Sequence, residues 1–278
     1  LRILLTGSKG QVGTALEPAL APLGKVIALD RKGLDLLSIG DTIVKAEPDV
    51  IVNAAAYTAV DRAEREKDIA FAVNARAVEA LAREAKAIDA LLVHFSTDYV
   101  FDGEKPAPYV ETDAPNPLSV YGHSKLAGER AIAASGCRHL IFRTSWVYGP
   151  GGRNFVHAIL AAAKAKPELR VVSDQCGAPT SSGAIAGAVA QALAHPAKAH
   201  GLYHLSAGGE TTWYGFAREI LSMKELATAI VPVSSEEYGA PARRPKNSRL
   251  DNSHIGKVMG ISLPDWRQGL AAVLAAIH

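Results

Sequence analysis

Cysteine is scarce: Cys137 and Cys176 are the only two in 278 residues. Two such thiols build no disulfide framework, and the expected location is a reducing cytoplasm. The net charge is only +2, so no electrostatic footprint asks for a nucleic-acid partner. No uninterrupted apolar run nears the ~20 residues of a membrane span. The first residues read straight into a strand without a signal-peptide pattern, and no membrane partner is expected. Aromatics supply 6% of the sequence against 48% hydrophobic residues, many of them alanine. Small side chains in that proportion suit helices packed closely over a sheet. Repeats and low-complexity tracts are missing too, and the length fits one large α/β domain or a large domain with a smaller lobe.

What is present is a βα rhythm. Arg2-Ile-Leu-Leu-Thr6 reads as a strand, Gly7-x-x-Gly10-x-x-Gly13 as a turn, and Thr14 to Leu23 as an amphipathic helix. Strand, glycine turn and helix together give a glycine motif its meaning: tight turning, close backbone approach to a pyrophosphate, and free N–H groups at a helix start. The spacing differs from the commoner G-x-G-x-x-G, and a generic tight turn is the plainer account. Lys25 to Asp30 reads as the second strand, and Asp30 can accept hydrogen bonds from an adenosine ribose. Arg31 and Lys32 follow and can instead meet a 2′-phosphate. Asp35 precedes a helix around 39–46 and is either an adenine contact or a helix cap. Strands follow at 49–53, 91–96 and 138–144, with a helix over 70–86 carrying Asn74, which can hold a water beside Lys125. Beyond ~150 the rhythm loosens. Helices are expected over 155–165, 182–194, 213–226 and 264–277, and the stretch 241–251 is a proline-bounded basic loop.

The fourth strand ends in Ser96-Thr97-Asp98, and residues 119–135 form a helix in which Tyr121 and Lys125 share a face at i and i+4. An ammonium beside a phenol lowers the phenol's pKa from ~10. Reaching ~7 takes about 4 kcal/mol, more than a solvated pair supplies, so burial and a bound cofactor must contribute. A tyrosine so tuned exchanges a proton with a sugar or ketone oxygen at neutral pH. Alone the pair is weak evidence: eight tyrosines, with lysine at one position in twenty, give about 0.4 chance matches. An exposed i,i+4 pair is the bland alternative.

The glycine turn, Asp30, Asn74, Ser96-Thr97 and Tyr121-x-x-x-Lys125 together resemble the extended short-chain dehydrogenase/reductase family. Gly10-Gln-Val-Gly13, Asn53-Ala-Ala-Ala-Tyr-Thr-Ala-Val-Asp61, Ser96-Thr-Asp-Tyr-Val-Phe101, Arg143-Thr-Ser-Trp-Val-Tyr148 and Ala242-Arg-Arg-Pro-x-Asn-Ser-Arg-Leu250 are similar, more narrowly, to the dTDP-4-dehydrorhamnose reductase family. The resemblance runs from the first strand to Trp266. It implies a Rossmann-type doubly wound parallel α/β sheet over 1–150. Residues 151–278 would be mainly a smaller, partly discontinuous substrate lobe, with about 182–205 returning to the main domain.

The implied reaction is reduction, by NADPH or NADH, of the C4 keto group of dTDP-4-dehydro-L-rhamnose to dTDP-L-rhamnose, in polysaccharide precursor synthesis. Tyr121 would be the proton donor. Lys125 would hold the nicotinamide ribose and keep Tyr121 acidic, and Thr97 would bond the reacting oxygen. Asp98 would anchor the sugar. Trp146 would wall the hexose or simply pack the lobe. Gly7, Gly10, Gln11, Val12, Gly13, Asp30, Arg31, Asp35 and Leu36 would line the adenosine half of the cofactor, and Ala56, Tyr57 and Thr58 the nicotinamide half. Arg243 and Arg244 would contact the substrate diphosphate, or belong to a solvated loop. Thr14-Ala15 follow Gly13 where some relatives carry acidic residues, so no metal site is carried over, and the state is monomer or homodimer. Two alternatives stand beside this reading: another nucleotide-sugar reductase or epimerase of the same fold, and a non-catalytic NADP-binding subunit like the regulatory subunit of methionine adenosyltransferase.

Overall fold

The computed structural model describes residues 1–34, 36, 39, 42–194 and 200–277. Its first half runs β1 (Arg2–Thr6), α1 (Gln11–Leu20), β2 (Lys25–Leu29), α2 (Thr42–Ala46), β3 (Val50–Asn53), α3 (Val60–Ala63), α4 (Lys67–Phe71), α5 (Ala77–Ala87), β4 (Leu91–Thr97), α6 (Val120–Ser135) and β5 (His139–Thr144). The second half runs β6 (Val147–Tyr148), α7 (Phe155–Ala165), β7 (Glu168–Val172), β8 (Cys176–Gly177), β9 (Thr180–Ser181), α8 (Ser182–Ala194) and β10 (Gly201–His204). Then come β11 (Thr211–Thr212), α9 (Trp213–Met223), β12 (Ala229–Val233), α10 (Ser235–Tyr238), α11 (Ser253–Met259) and α12 (Trp266–Ala275).

Six of these strands make one parallel sheet in the order β2-β1-β3-β4-β5-β10. Its strands are apolar runs because both faces are covered. Ile3, Leu5, Val52 and Val93 face α1 and α8, meeting Leu16, Leu20, Ile185 and Val189. Leu4, Ile51 and Leu92 point the other way, against Leu81 of α5 and Ile132 of α6. The strand order turns back between β1 and β3, and ligands of such sheets gather at the carboxyl ends beside that switch point. A separate core of Tyr148, Ile159, Leu169, Val171, Phe216, Ile220, Trp266 and Leu270 joins α7, α9 and α12 over the β7–β12 pair. The last helix of the sheet half to reach the site, α6, begins on Ser119, whose hydroxyl accepts from Gly122 N at 3.2 Å.

Three features differ from the sequence reading. The first helix starts at Gln11 rather than Thr14, immediately after the turn. The helix expected over 70–86 is broken: α4 gives way to a π-turn at Ala72–Arg76 before α5 resumes. That swollen turn, a distortion common at functional sites, buries Asn74. The Asn74 side chain bonds Tyr57 O (3.0 Å), Tyr57 N (2.9 Å) and Ser124 Oγ (3.0 Å), so both its amide protons are already engaged. The basic loop is also no loose segment. Its backbone bridges Tyr109 through Leu250 and Cys176 through Asn247, and Asn247 Nδ2 donates to Lys105 O (2.6 Å) and Ala107 O (3.0 Å). Strand β12 and helices α10 and α11 lack a hydrophobic period long enough to announce them.

Candidate active site

The glycine turn lies at the switch point. Gly7 has φ +68°, and a Cβ there would sit 2.6 Å from Ala55 N; one on Gly13 would sit 2.1 Å from Gly7 O. Side chains are therefore excluded, and α1 begins without a side-chain cap, which leaves first-turn N–H groups for an anionic ligand. This cradle fits a dinucleotide pyrophosphate. Around it, Asp30 Oδ1 accepts from Lys32 N (2.9 Å) and Gly33 N (3.1 Å). These bonds hold its carboxyl below the usual range, and among the described residues none bonds Oδ2, which could meet a ribose. Arg31 is exposed beside it. Gln11 spends its side chain on Arg153 O and Asn154, and Val12 and Leu36 turn into the two cores of the sheet. Those three therefore offer a cofactor their backbone. Asp35 lies outside the described residues. Ala56, Tyr57 and Thr58 follow β3; the Tyr57 hydroxyl is taken by Glu66.

Next to this cradle, β4 ends in Thr97 and Asp98, and α6 brings Tyr121 and Lys125 over them. The approach is close because a Cβ on Gly122 would meet Tyr99 O at 2.2 Å. The Tyr99 and Tyr121 rings stand edge to face, centroids 6.1 Å apart. Thr97 Oγ1 donates to Asp98 Oδ1 at 2.9 Å and lies next to the Tyr121 hydroxyl. The electrostatics reverse the sequence reading. Burial and the Asp98 charge push the Tyr121 phenol well above its ordinary range, and only the neighbouring Thr97 hydroxyl opposes them. Lys125 does not lower it because Nζ is turned to Phe95 O (2.6 Å) and His94 Nε2 (3.2 Å). Burial in turn lowers Lys125 to about 8, with Glu129 opposing. Asp98 rises to about 7 on burial. Its Oδ2 finds no partner, since the nearby Ser248 hydroxyl donates instead to Cys176 O at 3.4 Å.

On the other side of Tyr99 opens a cavity of about 1300 Å³ whose walls carry Asp61, Arg170, Gln175, Trp213, Arg243 and Arg244. Trp146, at φ +47°, is buried and stacks flat on Trp213, centroids 3.6 Å apart. Trp213 is the ring that reaches the cavity, its Nε1 held by Gln175 Oε1 at 3.2 Å. Arg243 is exposed on the rim. Arg244 lies against Asp61 with two bonds of 2.9 Å and also faces the Tyr99 hydroxyl. Trp213 and Gln175 were not singled out in the sequence, since each sits in ordinary helix or loop context with no spacing to mark it; Ser248 lies within the Ala242–Leu250 motif but was given no role. His94 did carry a signal, as a histidine inside the apolar run Leu91-Leu-Val-His-Phe95.

A glycine cradle at the switch point and a Tyr–Lys helix over the neighbouring strand end place the chain in the Rossmann-type short-chain dehydrogenase/reductase class. The family model described as RmlD substrate binding domain matches residues 1–278, and the chain belongs to that family. The dTDP-4-dehydrorhamnose reductase of Shigella flexneri is 45% identical over 290 residues, covering 99% of this chain and 97% of that protein. A dTDP-4-dehydrorhamnose reductase of Clostridium acetobutylicum superposes with TM-score 0.95 at 36% identity, covering 99% of each chain. That of Bacillus anthracis, solved in complex with NADP, gives TM-score 0.95 at 35% identity, covering 99% of this chain and 98% of its own.

Proposed function

We infer that this chain is an NAD(P)H-dependent oxidoreductase that reduces the C4 keto group of dTDP-4-dehydro-L-rhamnose to give dTDP-L-rhamnose. The observation that carries this reading is the full-length match to reductases of that name, in a chain whose Thr97, Tyr121 and Lys125 converge at one strand end. Residues 1–150 would form the cofactor domain and 151–278 mainly the substrate lobe, with 182–205 returning to the sheet. When bound, the reduced nicotinamide supplies the hydride. Tyr121 donates the proton to the C4 oxygen. A phenol held protonated through the neutral range is the form that donates, so the raised value suits a reductase. Thr97, whose side chain lies next to that hydroxyl, would orient it and share the reacting oxygen. Lys125 would bond the nicotinamide ribose after leaving Phe95 O. Asp98 would anchor a sugar hydroxyl with its unpartnered Oδ2, and Trp213, backed by Trp146, would wall the hexose. Arg243 and Arg244 on the cavity wall match diphosphate oxygens.

The test is oxidation of NADPH and NADH followed at 340 nm with dTDP-4-dehydrorhamnose. Turnover with either cofactor is expected. Tight NADP binding with no oxidation, and a co-purifying protein partner, would replace the enzyme by a binding subunit.

A further inference from the structure

Beneath the Tyr121–Lys125 helix, Thr6, Asn53 and His94 lie in register on one rung across β1, β3 and β4. All three are buried, and none has a part in the reduction as proposed. Their hydrogen bonds have a fixed direction. Ala55 N–H can only donate, and it does so to Asn53 Oδ1 at 3.2 Å, beside the Thr6 hydroxyl at 2.7 Å. The Asn53 NH₂ is thereby turned to His94 Nδ1 at 3.1 Å, which must accept. A neutral imidazole accepting at Nδ1 carries its proton on Nε2, and Nε2 faces Lys125 Nζ at 3.2 Å.

An ammonium at that point would set donor against donor. An imidazolium would leave the Asn53 NH₂ without an acceptor, and burial holds His94 well below its ordinary range. A neutral amine satisfies every group: it accepts the Nε2 proton and still donates to Phe95 O at 2.6 Å.

We propose that His94 is a positioning residue for Lys125: at alkaline pH its Nε2–H holds the amine uncharged in the cofactor-free protein, and Lys125 takes a proton from solvent when the cofactor draws it off the imidazole. This rests on the cofactor reading above. The surrounding groups allow it. From β4 and its end come His94 and Asp98; α6 itself brings Tyr121 and Glu129. Arg143 on β5 engages Glu129 through bonds of 2.9 and 2.6 Å, so that carboxylate is already neutralised. Glu64 sits at the start of α6, accepting from Val120 N at 2.9 Å, and Asn74 of the π-turn is uncharged. Above about pH 8 the lysine's charge is then conditional on an occupied cofactor site, the moment at which ribose oxygens are there to receive its protons.

Nitrogen-15 shifts of the histidines in cofactor-free protein, with His94 assigned by its loss in His94→Gln, test the tautomer directly. The expected result is a pyrrole-type Nε2 and a pyridine-type Nδ1; an Nδ1–H tautomer overturns the proposal. Calorimetry of NADP⁺ binding in two buffers of different ionisation enthalpy tests the charge. Uptake should approach about one proton per chain at pH 9, and fall toward zero at pH 6.5 where the ammonium already predominates. In His94→Gln the carboxamide reaches the Nε2 position and can turn its oxygen to an ammonium, so uptake at pH 9 should fall at least ~3-fold while NADP⁺ still binds. Equal uptake in both proteins overturns the proposal. If neither NADP⁺ nor NAD⁺ binds the parent chain, the cofactor reading falls, and the shifts measured without cofactor still decide the His94 assignment.

Discussion

Arg244 and Asp61, 183 positions apart in sequence, hold each other through two hydrogen bonds of 2.9 Å. Asp61 also accepts from Ala242 N at 3.2 Å, so the 240s loop is clamped to α3 at both its backbone and its guanidinium. The clamp holds the Asp61 carboxyl below its usual range, and its contribution is lost as pH falls through that lowered value. The pair is half-exposed, so a coupling of about 1 kcal/mol is expected from urea unfolding of Asp61→Asn, Arg244→Ala and the double variant. Strict additivity would leave the pair no energetic role. In steady-state kinetics, Arg243→Ala, on the rim, should raise KM for the nucleotide sugar more than it lowers kcat, as ground-state binding requires.

Tyr121→Phe removes only the phenol oxygen next to Thr97. It should leave cofactor affinity unchanged and lower kcat by roughly 10²–10⁴, the worth of a positioned general acid. Steady-state kinetics within threefold of the parent would take Tyr121 out of the proton-donor role.

Asp98 gives a pH signature with a definite sign. Its folded pKa, about 7, lies above that of an unfolded chain, so folding favours the protonated carboxyl. Asp98 costs nothing below about pH 4, costs more as pH rises toward 7, and changes nothing beyond; the cost has an upper bound of about 4 kcal/mol. Asp98→Asn removes that dependence. The melting temperature of the variant relative to the parent should therefore rise between pH 4.5 and pH 7.5 and level off above. A difference that stays flat over that interval would mean the buried carboxyl is ionised throughout.

Cofactor choice rests on two adjacent side chains. Asp30 repels a 2′-phosphate and Arg31 attracts it, both near solvent, so the net preference should be about tenfold or 1 kcal/mol. Both cofactors should serve, with Arg31→Ala moving kcat/KM toward NADH and Asp30→Ala toward NADPH. A thousandfold preference in the parent would show that something other than this pair decides.

The parallel sheet could be read from the sequence because each strand is an apolar run bounded by turns, and α6 because Ser119, an unbroken run and Gly136 mark its limits. The break at Asn74 could not be read, since it depends on Tyr57 and Ser124, 17 and 50 residues away. Spacing put Tyr121 and Lys125 on one face, but could not tell that Nζ turns to the Phe95 carbonyl, so the expected sign of the tyrosine's shift was wrong. Trp146 is a distinctive aromatic in the sequence; that Trp213 covers it depends on the pairing of β11, which leads into α9, with the distant β8.

Helix α8 and strand β10 belong by packing to the sheet: Ile185 and Val189 bury α1, and β10 closes the edge of β5. The first 150 residues expressed alone would therefore present a bare apolar face and an open strand edge, an invitation to aggregate. The same wiring constrains motion. The chain passes between the sheet and the α7–α9–α12 core after β5, again into α8, and again after β10; it then returns to the sheet core at α11 through Ile255 and Ile261 and crosses a last time into α12. Widening the cleft thus means flexing five connections together, as a door on five pins turns only about their common line.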